Sequence, residues 1–311
     1  MTSRQIIAKS LQILSTTKDW LIAQWILAIL SIVRLLPVNA ALKTMEYLAR
    51  QFGPYTKRHK LALANLAMAF PEKSKAEHKD IAMEMWGNMA RLATEYIYLN
   101  LISKFDPDSP DNSNVEIIGQ DVFADLMANP RPFIIFTIHS GNFELLPIVS
   151  NKFGLSVSVL FRPPNNRFIA AKVFKARGAH MDDLVSSKVG AAWTLARKLD
   201  DGGGVGMLID QKFTKSAETE FFGHKVKTSP LLAKLARQYE CDVFPARSIR
   251  LPNGRFRLEL EHSMTLPRND KGDIDINATS QVLNDKVEEW VRQYPGQWQW
   301  FHDRWNIKHT I

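Results

Sequence analysis

A histidine and a glutamate five positions apart, in the run His139-Ser140-Gly141-Asn142-Phe143-Glu144, are the residues of this chain best equipped for chemistry. On one helix they would point about 140° apart, because each residue turns 100°. Their neighbours put them in a different setting. Pro132 to Ile138 is an apolar run that reads as a buried strand, and Leu145 to Val149 reads as the start of a helix. At a strand-to-helix turn His139 lies on the loop and Gly141 permits a tight bend. Glu144, in the first helical turn, can then fold back toward the imidazole. A neutral histidine oriented by a carboxylate is a general base able to activate a hydroxyl group. The carboxyl ends of strands are also where α/β sheets place their sites. The same two residues would equally serve as a cap or a surface hydrogen-bond pair, so the surroundings decide.

Four further motifs stand at the ends of expected elements. Phe161-Arg162-Pro163 closes a strand, Arg177 ends the following helix, and Asp210-Gln211-Lys212 closes the strand Val205–Ile209. Phe222-Gly223-His224-Lys225 leads into Lys227-Thr228-Ser229-Pro230. Arg162, Arg177, Lys212, Lys225 and Lys227 could thus converge on one rim of a sheet. Each alone reads as a solvated surface charge. Together, beside a His/carboxylate pair, they suit a phosphorylated, anionic substrate that carries the hydroxyl. No His/Cys/Asp cluster has metal-ligand spacing, and no cofactor motif is present. Gly202-Gly203-Gly204 has neither P-loop nor dinucleotide spacing and reads as a flexible turn. Ser140 does not sit in a nucleophile elbow.

The elements that must carry these residues alternate along the chain. Strands are expected at Val115–Ile118, Phe133–Ile138, Ser156–Phe161, Gly206–Ile209, Val243–Ile249 and Arg255–Glu261. Helices are expected at Asp121–Met127, Phe143–Lys152, Phe168–Arg177, Gly190–Leu199, Pro230–Tyr239 and Ser280–Gln293. This alternation predicts an α/β fold, a mixed, largely parallel sheet flanked by helices. Ahead of it, Lys57 to Ala69 and a helix opened by the capping box Ser74-Lys75-Ala76-Glu77 form a helical part. The polar segment Ser103 to Asn114 reads as a linker. The division expected is an anchor over 1–40 and a second domain over 41–311, helical at 41–103 and α/β at 114–311. The alternating Trp298, Trp300 and Phe301 read as a last strand or turn packed on the core.

Trp20 to Leu36 is apolar apart from Gln24, Ser31 and Arg34, at the short limit for a bilayer span. Trp20 and Trp25 suit an interface, and Arg34 could snorkel. No convincing cleavage site follows, so a membrane-anchoring helix, spanning or interfacial, is expected in place of a signal peptide. The chain of 311 residues carries a net charge of +8, which calls for an anionic partner. Without a zinc-finger spacing, an RNP-like strand or a dense basic helix, nucleic acid is the weaker choice and an anionic membrane surface the stronger. The single Cys241 excludes an internal disulfide and reads as packing.

At this point the chain resembles the late acyltransferases of bacterial lipid A biosynthesis, the lauroyl/myristoyl acyltransferase family of the lysophospholipid-acyltransferase-like superfamily. The resemblance covers nearly the whole chain. It runs through Asn65-Leu66 to Phe70-Pro71, Val115-Glu116-Ile117-Ile118-Gly119, His139 to Glu144 and Phe161-Arg162-Pro163-Pro164-Asn165-Asn166. It continues in Asp210-Gln211, Phe222-Gly223 and Pro295-Gly296-Gln297-Trp298-Gln299-Trp300-Phe301-His302-Asp303-Arg304-Trp305. The family motif is a histidine with an acidic residue five positions on, matched by His139 and Glu144. The chain departs from common members in Glu144 itself, in Ser140 and Phe143, and in Lys212 after Asp-Gln.

The resemblance implies a fold like that of glycerol-phosphate acyltransferases and an inner-membrane location with the catalytic part facing the cytoplasm. It implies acyl-carrier-protein thioester as donor and a Kdo-bearing lipid A precursor as acceptor, acylated on the 3-hydroxyl of an attached chain. His139 would take the hydroxyl proton, and Glu144 or Asp210 would hold the imidazole, a choice the residues leave open. Arg162 and Arg177 would hold phosphate or carboxylate, with Asn142, Gln211 and Lys212 beside them. A backbone N–H near Gly141-Asn142, or an arginine, would meet the oxyanion. The alternatives are another glycolipid or phospholipid acceptor, or a non-catalytic peripheral protein that binds anionic lipid.

Overall fold

The computed structural model describes residues 3–103, 113–178, 183–213 and 216–308. Most of the segment read as a linker, Ser103 to Asn114, lies outside the described residues. Strands β1 (Val115–Ile118), β2 (Phe133–Thr137), β3 (Val157–Phe161), β4 (Asp183–Ser186), β5 (Gly204–Leu208), β8 (Asp242–Arg250) and β9 (Phe256–Leu260) make one sheet. Its order is β1-β9-β8-β2-β5-β3-β4. Every pairing is parallel except β8 with β9. Strands β6 (Ala217–Phe221) and β7 (His224–Thr228) form a separate antiparallel hairpin.

The expected mixed, largely parallel α/β sheet is therefore present, with helices on both faces. The reason is visible in β2. Ile134 and Phe136 join one buried cluster while Phe133 and Ile135 join another on the opposite face. A strand buried on both sides must be apolar throughout, which is how parallel strands read. Helices α6 (Gln120–Ala128), α7 (Leu145–Lys152), α8 (Arg167–Gly178), α9 (Ala191–Asp200), α10 (Leu231–Tyr239) and α11 (Ile276–Gln293) follow the expected positions to within a few residues. The short strand β4 and the hairpin β6–β7 were not expected.

In the N-terminal part α1 spans Ser3–Val33, α2 Val38–Phe52, α3 Lys57–Ala69, α4 Lys75–Glu95 and α5 Leu99–Ile102. The capping box forms as expected, with Glu77 N–H on Ser74 Oγ and Ser74 N–H on the Glu77 carboxylate. The helix α2 falls largely within the stretch 41–103 expected to be helical, ahead of the two helices expected from Lys57 onward. It lays an apolar stripe of Val38, Ala41, Leu42, Met45 and Ala49 toward the core and leaves Tyr47 and Phe52 exposed. Residues Ala62, Leu66, Ala82 and Met85 of α3 and α4 share a core with the sheet, Trp298 and Trp300.

Within α1, Ile13–Val33 is long and apolar enough to cross a bilayer, and only 11% of its most apolar window is buried. At 1.5 Å per residue it measures about 31 Å, close to a hydrocarbon core. This window begins seven residues before Trp20 and ends before Leu36. The last turn of α1 is held by the Tyr98 hydroxyl, which donates to the carbonyls of Val33 (2.9 Å) and Leu36 (3.1 Å). The Asn166 amide at the head of α8 donates to the Asp19 carbonyl at 2.7 Å.

Candidate active site

Register decides which residues meet. Thr137 of β2 pairs with Leu208 of β5, so His139 and Asp210, each two residues beyond, emerge side by side. His139 Nδ1 lies 2.8 Å from Asp210 Oδ1. Asp210 Oδ2 accepts the backbone N–H of His139 at 3.0 Å and the indole N–H of Trp298 at 2.8 Å. Burial alone would raise the Asp210 carboxyl. The charge of His139, its ring and backbone hydrogen bonds and the Trp298 N–H outweigh burial and hold it at about 2. Facing an ionised carboxylate, Nδ1 must be the donor, which leaves the Nε2 lone pair free to accept a proton. Asp210 is 2% exposed and His139 19%, so the base can be reached while its carboxylate cannot.

The Gln211 amide nitrogen lies 3.3 Å from His139 Nε2 and 3.5 Å from Nδ1. A group that close to both ring nitrogens would overlap the carbon between them if it were in the ring plane. It therefore lies over the ring face. The Phe143 ring meets the imidazole edge to face at 5.1 Å.

Glu144 is placed differently from the expectation that it folds back on the imidazole. Its carboxylate, 3% exposed, accepts from the Tyr96 hydroxyl and the Arg177 guanidinium. Burial, then the Glu144 charge, push the Tyr96 hydroxyl far above its ordinary value, so it stays a donor. Arg177 is thereby also drawn off the cationic rim, since it is committed to a buried partner and stacks over Phe161. The side chain of Asn142 is fully buried, and its amide donates to Glu95 at 2.9 Å.

Two cavities are lined by neighbours of this pair, one by Phe143 and the other by Lys212 and His302, while His139 and Asp210 line neither. One is a narrow apolar slot of about 50 Å³, lined by Ile135, Leu146, Val157, Val159, Leu184 and Gly206, with Thr137, Phe143, Glu144 and Arg177 also on its wall. The other is a groove of about 960 Å³, with Lys57, Arg58, Lys60, Arg162, Lys212 and Lys308 around it and Asp303 the one acid among its described residues. Consecutive residues Phe161 and Arg162 at the end of β3 line the slot and the groove respectively. Lys225 and Lys227 sit with Lys212 and Arg304 in an adjacent depression of about 380 Å³. Among the described residues no group of three His, Cys, Asp or Glu is placed to hold a metal.

Gly141, with φ of +57°, passes so close to β8 that a Cβ there would lie 2.2 Å from the Ser248 carbonyl. Its N–H points to the Gln297 carbonyl at 3.4 Å, which removes it as an oxyanion donor. The N–H groups of Asn142, Phe143 and Glu144 carry no hydrogen bond among the described residues. Sequence reasoning missed Trp298 and His302. Trp298 read as packing, and it is buried, yet it also braces Asp210. His302 accepts the backbone N–H of Lys212 at 2.9 Å, and burial chiefly pushes it down to about 4.

Comparison with curated proteins gives no match. A family model described as bacterial lipid A biosynthesis acyltransferase matches residues 6–307, nearly the full length. A His–Asp pair with a basic groove and an apolar slot lined by its neighbours accords with that match, and the chain belongs to the bacterial lipid A biosynthesis acyltransferase family.

Proposed function

We propose that this protein transfers an acyl chain from an acyl-carrier-protein thioester to the 3-hydroxyl of a chain already attached to a Kdo-bearing lipid A precursor. The observation that supports the reading is the His139–Asp210 pair, reachable at the ring and buried at the carboxylate, with an apolar-walled slot on its Phe143 side and a cationic groove on its Lys212 side. His139 Nε2 takes the hydroxyl proton as the oxygen attacks the thioester carbon. The tetrahedral intermediate collapses, the C–S bond breaks, and the departing thiolate recovers the proton from the imidazolium. Asp210 holds the tautomer and stabilises that imidazolium. N–H groups of the turn Asn142 to Glu144 meet the oxyanion. Arg162 and Lys212 hold phosphate or carboxylate of the acceptor, and Gln211 keeps the ring oriented. Arg177 and Glu144 form a fixed wall of the slot.

The reading also takes residues 1–40 as anchor and 41–311 as the acyltransferase part, docked on the anionic cytoplasmic face of the inner membrane. The exposed apolar surface of α1 and the net charge of +8 support this. The test is direct. Detergent-solubilised protein, offered carrier-protein thioesters of several lengths and a Kdo-bearing lipid A precursor, should add the mass of one acyl chain. His139→Ala should lose at least ~100-fold in turnover. A precursor left unmodified, or a variant at wild-type rate, would sink the proposal.

A further inference from the structure

Glu95 and Arg250 form a buried ion pair behind the His139 loop. Glu95 ends α4 and Arg250 ends β8. Arg250 Nη2 donates to Glu95 Oε2 at 2.9 Å, and Nη1 bonds the other oxygen. Arg250 Nε reaches Asn88 Oδ1 at 3.0 Å, and the Asn88 amide donates to the Gly296 carbonyl at 3.0 Å. The third donor on Glu95 is Asn142 Nδ2. Gln297 completes the assembly. Its side chain accepts the Arg250 N–H and donates to the Arg250 carbonyl, both at 2.8 Å, while its own carbonyl faces Gly141 N–H. The network thus grips the active-site loop at its two central residues, between His139 and Glu144.

Stability does not account for it. Desolvating two charges cancels most of their attraction, and apolar residues of similar shape commonly serve as well or better. What an apolar pair cannot do is accept the Asn142 amide and so fix the turn that follows. We infer that the Glu95–Arg250 pair is a positioning unit for acyl transfer. Through Asn142 it holds the unpartnered N–H groups of residues 142–144 where the oxyanion develops. The inference rests on the reading of His139 as the base. It also gives the helical segment a part in catalysis, through α4.

Removing Glu95 leaves Arg250 buried without a counter-charge and risks unfolding, so the test uses Asn142. In Asn142→Ala the ion pair stays whole. The turnover number should fall ten- to hundredfold, the cost of a small misplacement, while KM for donor and acceptor stays within about twofold. Asn142→Asp sets a second carboxylate beside Glu95. One of the two must take a proton, and the protonated form restores a donor on Glu95. Its kcat should therefore rise as the pH falls from 8 to 6, where wild-type kcat does not. A filler residue would show no such reversal. Melting in the same detergent verifies that both variants are folded, and His139→Ala runs alongside. Wild-type kcat in Asn142→Ala, or a wild-type pH slope in Asn142→Asp, overturns the positioning role if His139→Ala is inactive. Activity in His139→Ala overturns the base assignment and the inference with it.

Discussion

Replacing Asp210 by asparagine keeps the size of the side chain and removes the charge that faces His139. In the native site the two carboxylate oxygens accept three N–H donors, from the imidazole, the His139 backbone and Trp298. An amide offers one acceptor and one donor, so a partner is lost and the ring is free to present the wrong tautomer. The carboxyl is held at about 2 against an ordinary 3.8, despite complete burial. At 1.36 kcal/mol per unit, that difference corresponds to roughly 2 kcal/mol of net preference for the ionised carboxylate in this site. Losing a preference of that order from the transition state, where the imidazolium forms, costs roughly tenfold or more in rate. This is a floor, since burial already opposes the shift, and tautomer loss in comparable triads reaches about 10⁴-fold. Asp210→Asn should therefore lower kcat by roughly tenfold at least and up to about 10⁴-fold, with little change in KM. The assay is product mass against time at saturating donor and acceptor. Glu144→Gln, which does not touch the ring, should lose much less. An Asp210→Asn enzyme with more than a tenth of wild-type kcat would refute the pairing.

Three other outcomes follow from the same geometry. Arg162→Ala should raise the acceptor KM roughly ten- to hundredfold through loss of a charge-assisted contact, measured by titrating the precursor; an unchanged KM would remove Arg162 from the groove's function. In Gly206→Val the new Cβ would stand 3.2 Å from Val157 Cγ1 inside the slot, so preference should move to shorter donors. Each methylene denied burial costs about 0.8 kcal/mol, about fourfold in kcat/KM, and a chain-length profile identical to wild type would show that the slot does not hold the donor. His302 is held near 4 against 6.5, so between these values the unfolded chain binds a proton that the folded protein refuses. Stability must then fall as the pH drops from about 6.5 to about 4, by roughly 3 kcal/mol in all. His302→Gln should flatten the melting temperature over that window, and an unaltered slope would exclude this residue as its cause.

Local order was well written in the residues; adjacency was not. The strands β2 and β5 were legible because burial on both faces demands continuous apolar runs, as in Phe133-Ile134-Ile135-Phe136. The capping box of α4 was legible because it is a contact within four residues. The choice between Glu144 and Asp210 was not, since it depends on β2 and β5 being neighbours, a fact set by pairing across some seventy residues. Glu144 is near His139 in sequence, yet its partners Tyr96 and Arg177 come from elements far along the chain. Trp298 illustrates the same limit, because one indole both fills the core and donates to Asp210, and composition reports only the first. The strand β4 has four residues, too few for a period to register. The helix α2 carries a regular apolar stripe at Val38, Ala41, Leu42, Met45 and Ala49, so its signal lay in the residues all along.

The grip of Tyr98 on the end of α1, together with Asn166 on Asp19, has a consequence for what can be acylated. A bilayer that takes up α1 inherits a fixed height for the rest of the molecule, because the helix cannot slide or swivel without breaking those bonds. The imidazole then stands at one set altitude above the lipid tails. Hydroxyls at other levels along a glycolipid would miss it, so selection among otherwise similar alcohols can be made by depth alone.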